Sequence, residues 1–205
     1  MSLLRRIGWR RGVLVMAVAA LLIVAAIQAL SDDPEIALVI GEPWEDMRQR
    51  SSAAIGPAIP GHYWGRLPKS DARLRFIDPQ YGFVTPLARF FTVSFNKDES
   101  VSSVWMSPQL EPLLLDDTLK IVLDLQEQWR QTGWEPIRVN YDPPFADTAQ
   151  WRARLRDVNK GGTSYWQAGN QYQVMLVVNR FRDDKRPKEE RYLIKLQLAT
   201  PWVNP

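Results

Sequence analysis

The sequence predicts an α+β domain, in which one antiparallel-dominated sheet carries two main helices, behind an N-terminal transmembrane helix. Three observations predict this class. Short segments in the C-terminal half alternate apolar and polar residues with the period of a half-buried strand. Two segments between them repeat apolar residues with the 3.6-residue period of an amphipathic helix. A long run near the N-terminus is apolar and contains no charge.

The N-terminal run covers residues 13–30, and Gln28 is its one strongly polar residue. As a helix it is about 27 Å long, close to the hydrocarbon thickness of a bilayer. Four arginines precede it, and no acid occurs before Asp32. By the positive-inside tendency, residues 1–12 stay in the cytoplasm and the chain then crosses the membrane. We therefore expect a single-pass signal anchor, which in a bacterium is an inner-membrane anchor with the main domain in the periplasm.

Two other interpretations of this run are weaker. A cleaved signal peptide has a shorter apolar core, followed by a small-x-small cleavage site. Here the best cleavage candidate, residues 24–26, lies inside the run. A buried core helix would not need four arginines at one end. The pattern favours a retained anchor over both.

Residues 31–88 contain seven prolines and little periodicity. They also contain many large apolar residues, so we expect an ordered segment that packs on the domain rather than a disordered linker. One short helix is predicted directly after Pro43, because proline is favoured at a first helical position and Glu45 and Asp46 follow in the first turn.

Residues 89–205 are predicted to form the α+β domain itself. Residues 91–95 and 101–106 alternate as two strands around a polar turn. A helix follows, with Asp116 and Asp117 as its expected N-caps and Gly133 as its end. Its apolar residues span an arc of roughly 200°, wider than one sheet requires. We expect the proline-rich segment, or a protein partner, to cover the excess.

The same alternation and capping patterns predict the remaining elements of the domain. A strand is predicted through Ile137, Val139 and Tyr141, and a short helix capped by Asp147 follows the Pro143-Pro144 break. Three further strands are expected after the glycines at 161 and 162. The resulting order is β-β-α-β-α-β-β-β. The predicted last three strands cover residues 164–167, 171–181 and 192–198.

Composition excludes several classes of site. The chain has no cysteine and one histidine, which removes disulfides, iron–sulfur clusters and cysteine- or histidine-rich metal centres. Beyond residue 30, 22 basic residues stand against 23 acids, so bulk charge does not indicate nucleic-acid binding. No nucleotide-binding loop is present either. We expect no cofactor, metal, nucleotide or nucleic acid.

Candidate catalytic residues are weak. His62 is the one ready general base near neutral pH, but no nucleophile or orienting acid forms a motif around it. The carboxylate pairs at 32/33, 116/117 and 183/184 each have a structural explanation, at a membrane flank, a helix start and a charged turn. No catalytic residue is therefore predicted, and whether the chain is an enzyme stays open.

Loop tryptophans are the strongest candidates for binding. Trp129 and Trp151 lie on apolar helix faces and are expected in the core. Four other tryptophans lie in predicted loops or near element ends, where exposed rings serve protein interfaces or stack on sugars. The candidate binding residues are Trp44, Trp64, Trp166 and Trp202.

Two functions fit these features. The first is a non-enzymatic, membrane-anchored periplasmic module that binds an envelope protein, such as an immunity-type neutraliser of a toxin or an accessory subunit of an envelope complex. The alternative is a periplasmic glycan- or peptidoglycan-binding protein or hydrolase, using tryptophan platforms and scattered carboxylates. A flat aromatic patch favours the first, and a concave groove with two facing acids favours the alternative.

Overall fold

The computed structural model of the chain describes residues 33–204. The predicted anchor at 13–30 and the predicted cytoplasmic residues 1–12 lie outside this range. Across residues 33–204, the structure contains no helix with the length and apolarity needed to span a bilayer. The chain from Pro34 onward forms one compact unit.

The described residues form a mixed α+β structure with a large antiparallel sheet and three helices. The seven strands of this sheet are β2 (Trp64–Arg66), β5 (Phe91–Phe95), β6 (Val101–Met106), β7 (Glu135–Ile137), β8 (Gly162–Ala168), β9 (Tyr172–Phe181) and β10 (Arg191–Ala199). Their spatial order is β2-β5-β6-β10-β9-β8-β7, and all their pairings are antiparallel.

A smaller sheet forms within the proline-rich segment. It consists of β1 (Glu35–Leu38), β3 (Arg73–Phe76) and β4 (Phe83–Val84), with β1 and β3 parallel. Helix α1 (Trp44–Arg50) follows β1, and Pro43 occupies its N-cap rather than its first helical position. The sequence did not predict this sheet.

One face of the large sheet is apolar and packs against the helices and the small sheet. These elements do not cover the second face. Alternate residues of β9 and β10, such as Leu176 and Leu196, are fully buried. They join one hydrophobic core with helix α2 (Leu115–Gln131) and the small sheet. Helix α3 (Ala149–Arg156) lies on the same side, because a Cβ on Gly162 would lie 2.7 Å from the ring of Trp151.

Helix α2 has the predicted apolar stripe, but its buried part is narrower than the predicted arc. Leu119, Val122 and Trp129 are fully or almost fully buried, whereas Ile121 and Leu123 are half-buried at the margins. The excess apolar side contacts the proline-rich segment: the rings of Phe83 and Trp129 meet edge to face with centroids 5.7 Å apart. The helix begins after Leu114, so Asp116 and Asp117 lie in its first turn and do not cap it, contrary to the prediction.

Two glutamines of α2 bind neighbouring backbone through both ends of their amides. Gln126 donates to the carbonyl of Phe145 at 2.9 Å and accepts from its N–H at 2.8 Å. Gln128 makes the same pair of bonds to Val84, at 3.0 and 2.9 Å. An amide suits this role because it carries both a donor and an acceptor. These bonds attach a loop and strand β4 to the helix.

Two element predictions in the middle of the domain were wrong in detail. Strand β7 ends at Ile137, because Arg138 has a φ of 57° that breaks the extended backbone, and Val139 and Tyr141 are exposed. The N-cap of α3 is Thr148, whose hydroxyl accepts from the N–H of Trp151 at 3.2 Å. Asp147, the predicted cap, instead binds Arg152.

Candidate functional site

The second face of the large sheet consists of side chains that point away from the core. We call its part on β5, β6, β10, β9 and β8 the outer face, and Glu135 on the edge strand β7 pairs with Gln167 and lies on the same side of the sheet. Strand alternation places these residues opposite the buried ones. The outer face comprises Thr92, Ser94, Ser103, Trp105, Thr163, Tyr165, Gln167, Gln173, Met175, Val177, Asn179, Phe181, Arg191, Leu193, Lys195, Gln197 and Ala199.

One row of the outer face crosses five strands without a break. Thr92 pairs with Trp105, Trp105 with Gln197, Gln197 with Met175, and Met175 with Tyr165. Because paired residues point to the same side and strands lie about 4.8 Å apart, Trp105 and Tyr165 are about 14 Å apart along this row. Trp105 is 40% exposed, and the other four residues are half-buried. The row places two aromatic rings and a thioether on one side of the sheet, and the Arg138 guanidinium lies 5.5 Å from the centroid of the Tyr165 ring.

The C-terminal segment, residues 200–204, crosses one end of the outer face, where it is hydrogen-bonded to the side chain of Gln173. Gln173 is fully buried; its amide oxygen accepts from the N–H groups of Trp202 and Val203, and its nitrogen donates to the Val203 carbonyl at 2.9 Å. The ring of Trp202 therefore lies against that of Tyr165, with centroids 6.4 Å apart. Trp202 remains 40% exposed.

Strands β8 and β6 show why these rings point outward. In β8, Ser164 and Trp166 are buried while Tyr165 between them is half-buried. In β6, Val104 and Met106 are buried, so Trp105 must point to the opposite side. The outward ring in each strand is thus a consequence of the core residues that flank it.

The four predicted tryptophans do not form one site. Trp202 joins the outer face, and Trp64 lies on the sheet-edge strand β2 with 46% of its surface exposed. Trp44 is partly buried against the core, and its indole N–H donates to the Gly56 carbonyl at 3.2 Å. For Trp166 the prediction of an exposed ring is wrong. Trp166 lies on the buried side of β8 and has no accessible surface.

A second exposed aromatic group lies at the end of the sheet near β2. Tyr63 is 69% exposed and lies under the Lys97 ammonium, 5.4 Å from the ring centroid. The Arg66 guanidinium lies 5.6 Å from the ring of Trp64. Such cation–π contacts orient exposed rings, at a gain of about 0.5–1 kcal/mol each. Trp64 and Trp202 therefore belong to two separate surfaces.

The candidate catalytic groups remain dispersed. His62 is exposed in the loop before β2, and its backbone N–H donates to the Ile59 carbonyl. Asp116 and Asp147 bind Arg152 at 2.6 and 2.5 Å, and the hydrogen bond from Arg152 lowers the pKa of Asp147. Asp183 accepts from the N–H of Lys185 in the hairpin turn. Within residues 33–204, no cluster of three or more potential ligating side chains could hold a metal ion.

Trp105, Tyr165 and Met175 were missed as candidate binding residues. The sequence does carry a signal for Trp105, because it occupies the polar phase of a strand whose apolar phase is Val104 and Met106. The signal for Tyr165 is weaker, since β8 buries Ser164 and Ala168 as well as Trp166, and small or polar residues do not identify the buried phase.

Comparison of the chain with protein-family models, with curated proteins and with solved structures finds no match. The arguments about function therefore rest on the geometry of the outer face and on the sequence.

Proposed function

We propose that the chain is a non-enzymatic module, anchored in the inner membrane by residues 13–30, whose periplasmic domain binds another envelope protein through the outer face. An immunity-type neutraliser or an accessory subunit of an envelope complex would have this organisation. The observation that carries the proposal is the row from Trp105 to Tyr165, extended by Trp202. Within this proposal, the N-terminus is cytoplasmic.

The composition and rigidity of the outer face support protein binding. Tryptophan, tyrosine and methionine are enriched in protein interfaces, and tryptophan and tyrosine dominate their binding energy. Trp105 and Tyr165 lie on strands of a seven-stranded sheet, and Trp202 is fixed by the amide of Gln173. Rings held in place lose little entropy on binding, which favours affinity.

A glycan remains the second candidate because of a shallow hollow beside Trp202. Its lining combines that indole with the amide side chains of Gln167, Asn170 and Asn204. An aromatic ring flanked by amides offers stacking and hydrogen bonding to a sugar. The hollow is small compared with the outer face, so we place protein binding first.

Site-specific photo-crosslinking tests the proposed function. The full-length protein, produced in its native membranes with p-benzoylphenylalanine at position 165, should give one protein adduct. The same probe in place of Lys120, exposed on α2, should give none. His62→Ala should leave the yield from position 165 unchanged. Equal adducts from both positions would contradict a specific face, and an adduct with peptidoglycan strands would support the glycan alternative.

The proposed topology has a separate test. Because the chain contains no cysteine, Ser102→Cys introduces a single thiol. A membrane-impermeant maleimide should label this thiol in intact spheroplasts, and the protein should stay in the membrane fraction at full-length mass. Release of a shortened soluble form would contradict the anchor.

A further inference from the structure

On its five strands the outer face carries charge of one sign, and Glu135 lies beyond them on the edge strand β7. Its outward residues on the five strands include Lys195 and Arg191 but no aspartate or glutamate, although 23 acids occur in the chain. Arg191 is neutralised locally, because its guanidinium is hydrogen-bonded to the carboxylate of Glu189. Lys195 is therefore the uncompensated charge of this surface.

Lys195 lies on β10, the middle strand of the five that form the outer face, and its neighbours cannot neutralise it. Val177 is directly opposite on β9, with Thr163 next across the sheet on β8. Leu193 and Gln197 flank Lys195 along its own strand. In the described part of the chain, no carboxylate lies within ion-pair distance of the exposed Lys195 ammonium.

We infer that the protein partner presents an acidic surface to the outer face, with a carboxylate that pairs with Lys195. This inference rests on the proposed function. Lys195 lies on β10 between the strands of Trp105 and Tyr165, two residues along from Gln197, so a partner that covers the row and the next outward residue of β10 also covers Lys195. Removing an ammonium group from water is unfavourable unless an opposite charge compensates it. An apolar or basic partner would be rejected at this position.

A lipid surface fits the same charge less well. Recruitment to anionic headgroups relies on clusters of about four to eight basic residues. The outer face offers one free cation among aromatic, aliphatic and amide side chains. One central charge beside a row that contains two aromatic rings and a thioether instead matches a protein interface, in which a few charged pairs set specificity.

The test uses full-length protein in native membranes with the p-benzoylphenylalanine probe at position 165. Lys195→Glu should lower the protein adduct by about tenfold or more, because it replaces attraction with repulsion. Lys195→Gln should lower it less. Lys120→Glu is the matched control, a charge reversal on the exposed side of α2, and should leave the adduct unchanged. The crosslinked peptide of the captured protein should contain aspartate or glutamate.

The outcomes separate this inference from the proposed function. If position 165 yields no protein adduct in the wild type, both fail. If the adduct forms and survives Lys195→Glu undiminished, the outer face binds a protein but the acidic partner is wrong. An adduct with phospholipid also overturns the inference. If Lys195→Glu makes the protein more sensitive to trypsin, which indicates a folding defect, Lys195→Gln replaces it in the comparison. A Lys195→Gln adduct that equals the wild-type adduct in yield and in sensitivity to added salt contradicts the ion pair.

Discussion

The inner face of the large sheet, which carries the buried side chains, and the outer face are formed by alternate residues of the same strands. On β8, Trp166 is completely buried, whereas its neighbour Tyr165 is accessible. On β6, Met106 is buried and Trp105 is 40% exposed. Both faces carry large aromatic side chains, so residue type alone does not separate them. What separates them is whether helices and the small sheet cover the face.

This difference assigns two roles to aromatic residues in one domain. Inner-face rings such as Trp166 exclude water and stabilise the fold. Outer-face rings such as Trp105 contribute less to folding, because much of their surface stays in water. We therefore expect inner-face substitutions to change the free energy of unfolding and outer-face substitutions to change binding.

The largest effect is expected where α2 covers the inner face. Leu119→Ala should lower the free energy of unfolding by about 2–5 kcal/mol, because Leu119 is 2% exposed and its truncation leaves a cavity. Lys120→Ala, on the exposed side of the same turn, should change it by less than about 0.5 kcal/mol. Urea titration of both variants, followed by circular dichroism, measures the difference. Equal losses would mean that α2 presents a different face to the sheet.

A smaller effect should appear where β8 meets α3. Gly162→Ala should destabilise the fold by about 1–3 kcal/mol, because the new methyl group would lie 2.7 Å from the rings of Phe145 and Trp151. Thr163→Ala, one residue along on the outer face, should cost less than about 1 kcal/mol. Thermal unfolding of the two variants checks this pair. A tolerated Gly162→Ala would show that α3 can move away from the sheet.

The pH dependence of stability should reveal a buried phenol at the inner face. Burial first, and then the hydrogen bond to Asp78, raise the pKa of Tyr172 from 10.0 to about 12. The unfolded chain therefore ionises this phenol first, so stability is complete below about pH 10 and falls as the pH rises toward 12. Tyr172→Phe should flatten the fall without abolishing it, because burial also raises the pKa of Tyr192. Urea titrations between pH 8 and pH 11 test this. If the free energy of unfolding fell equally with pH in the wild type and in Tyr172→Phe, the prediction would be contradicted.

The sequence predicted the long alternating strands well and the short ones poorly. Strands β5, β6, β9 and β10 are confirmed, because five or more alternating residues identify both the strand and its buried side. The small sheet was missed because β1 and β3 are four residues long and pair across 34 intervening residues. Such long-range pairing leaves no local pattern.

The candidate site was predicted in part. Trp202 and Trp64 are exposed as expected, and their role in binding stays a prediction. Trp166 was placed wrongly because Ser164 and Ala168, which share its side of β8, are too small or polar to mark a buried phase. The outer face itself required the structure, because the strands that carry Trp105 and Tyr165 are joined into one sheet through β10 and β9, and β10 begins 85 residues after β6 ends.

Trp105→Ala and Trp166→Ala test the difference between the two faces most directly, with photo-crosslinking from position 165 and urea unfolding measured on each. Trp105→Ala should reduce the protein adduct about thirtyfold, the equivalent of about 2 kcal/mol, and change the free energy of unfolding by less than about 1 kcal/mol. Trp166→Ala should lower the free energy of unfolding by about 3–5 kcal/mol. An adduct that is undiminished in a folded Trp105→Ala variant would contradict the assignment of binding to the outer face.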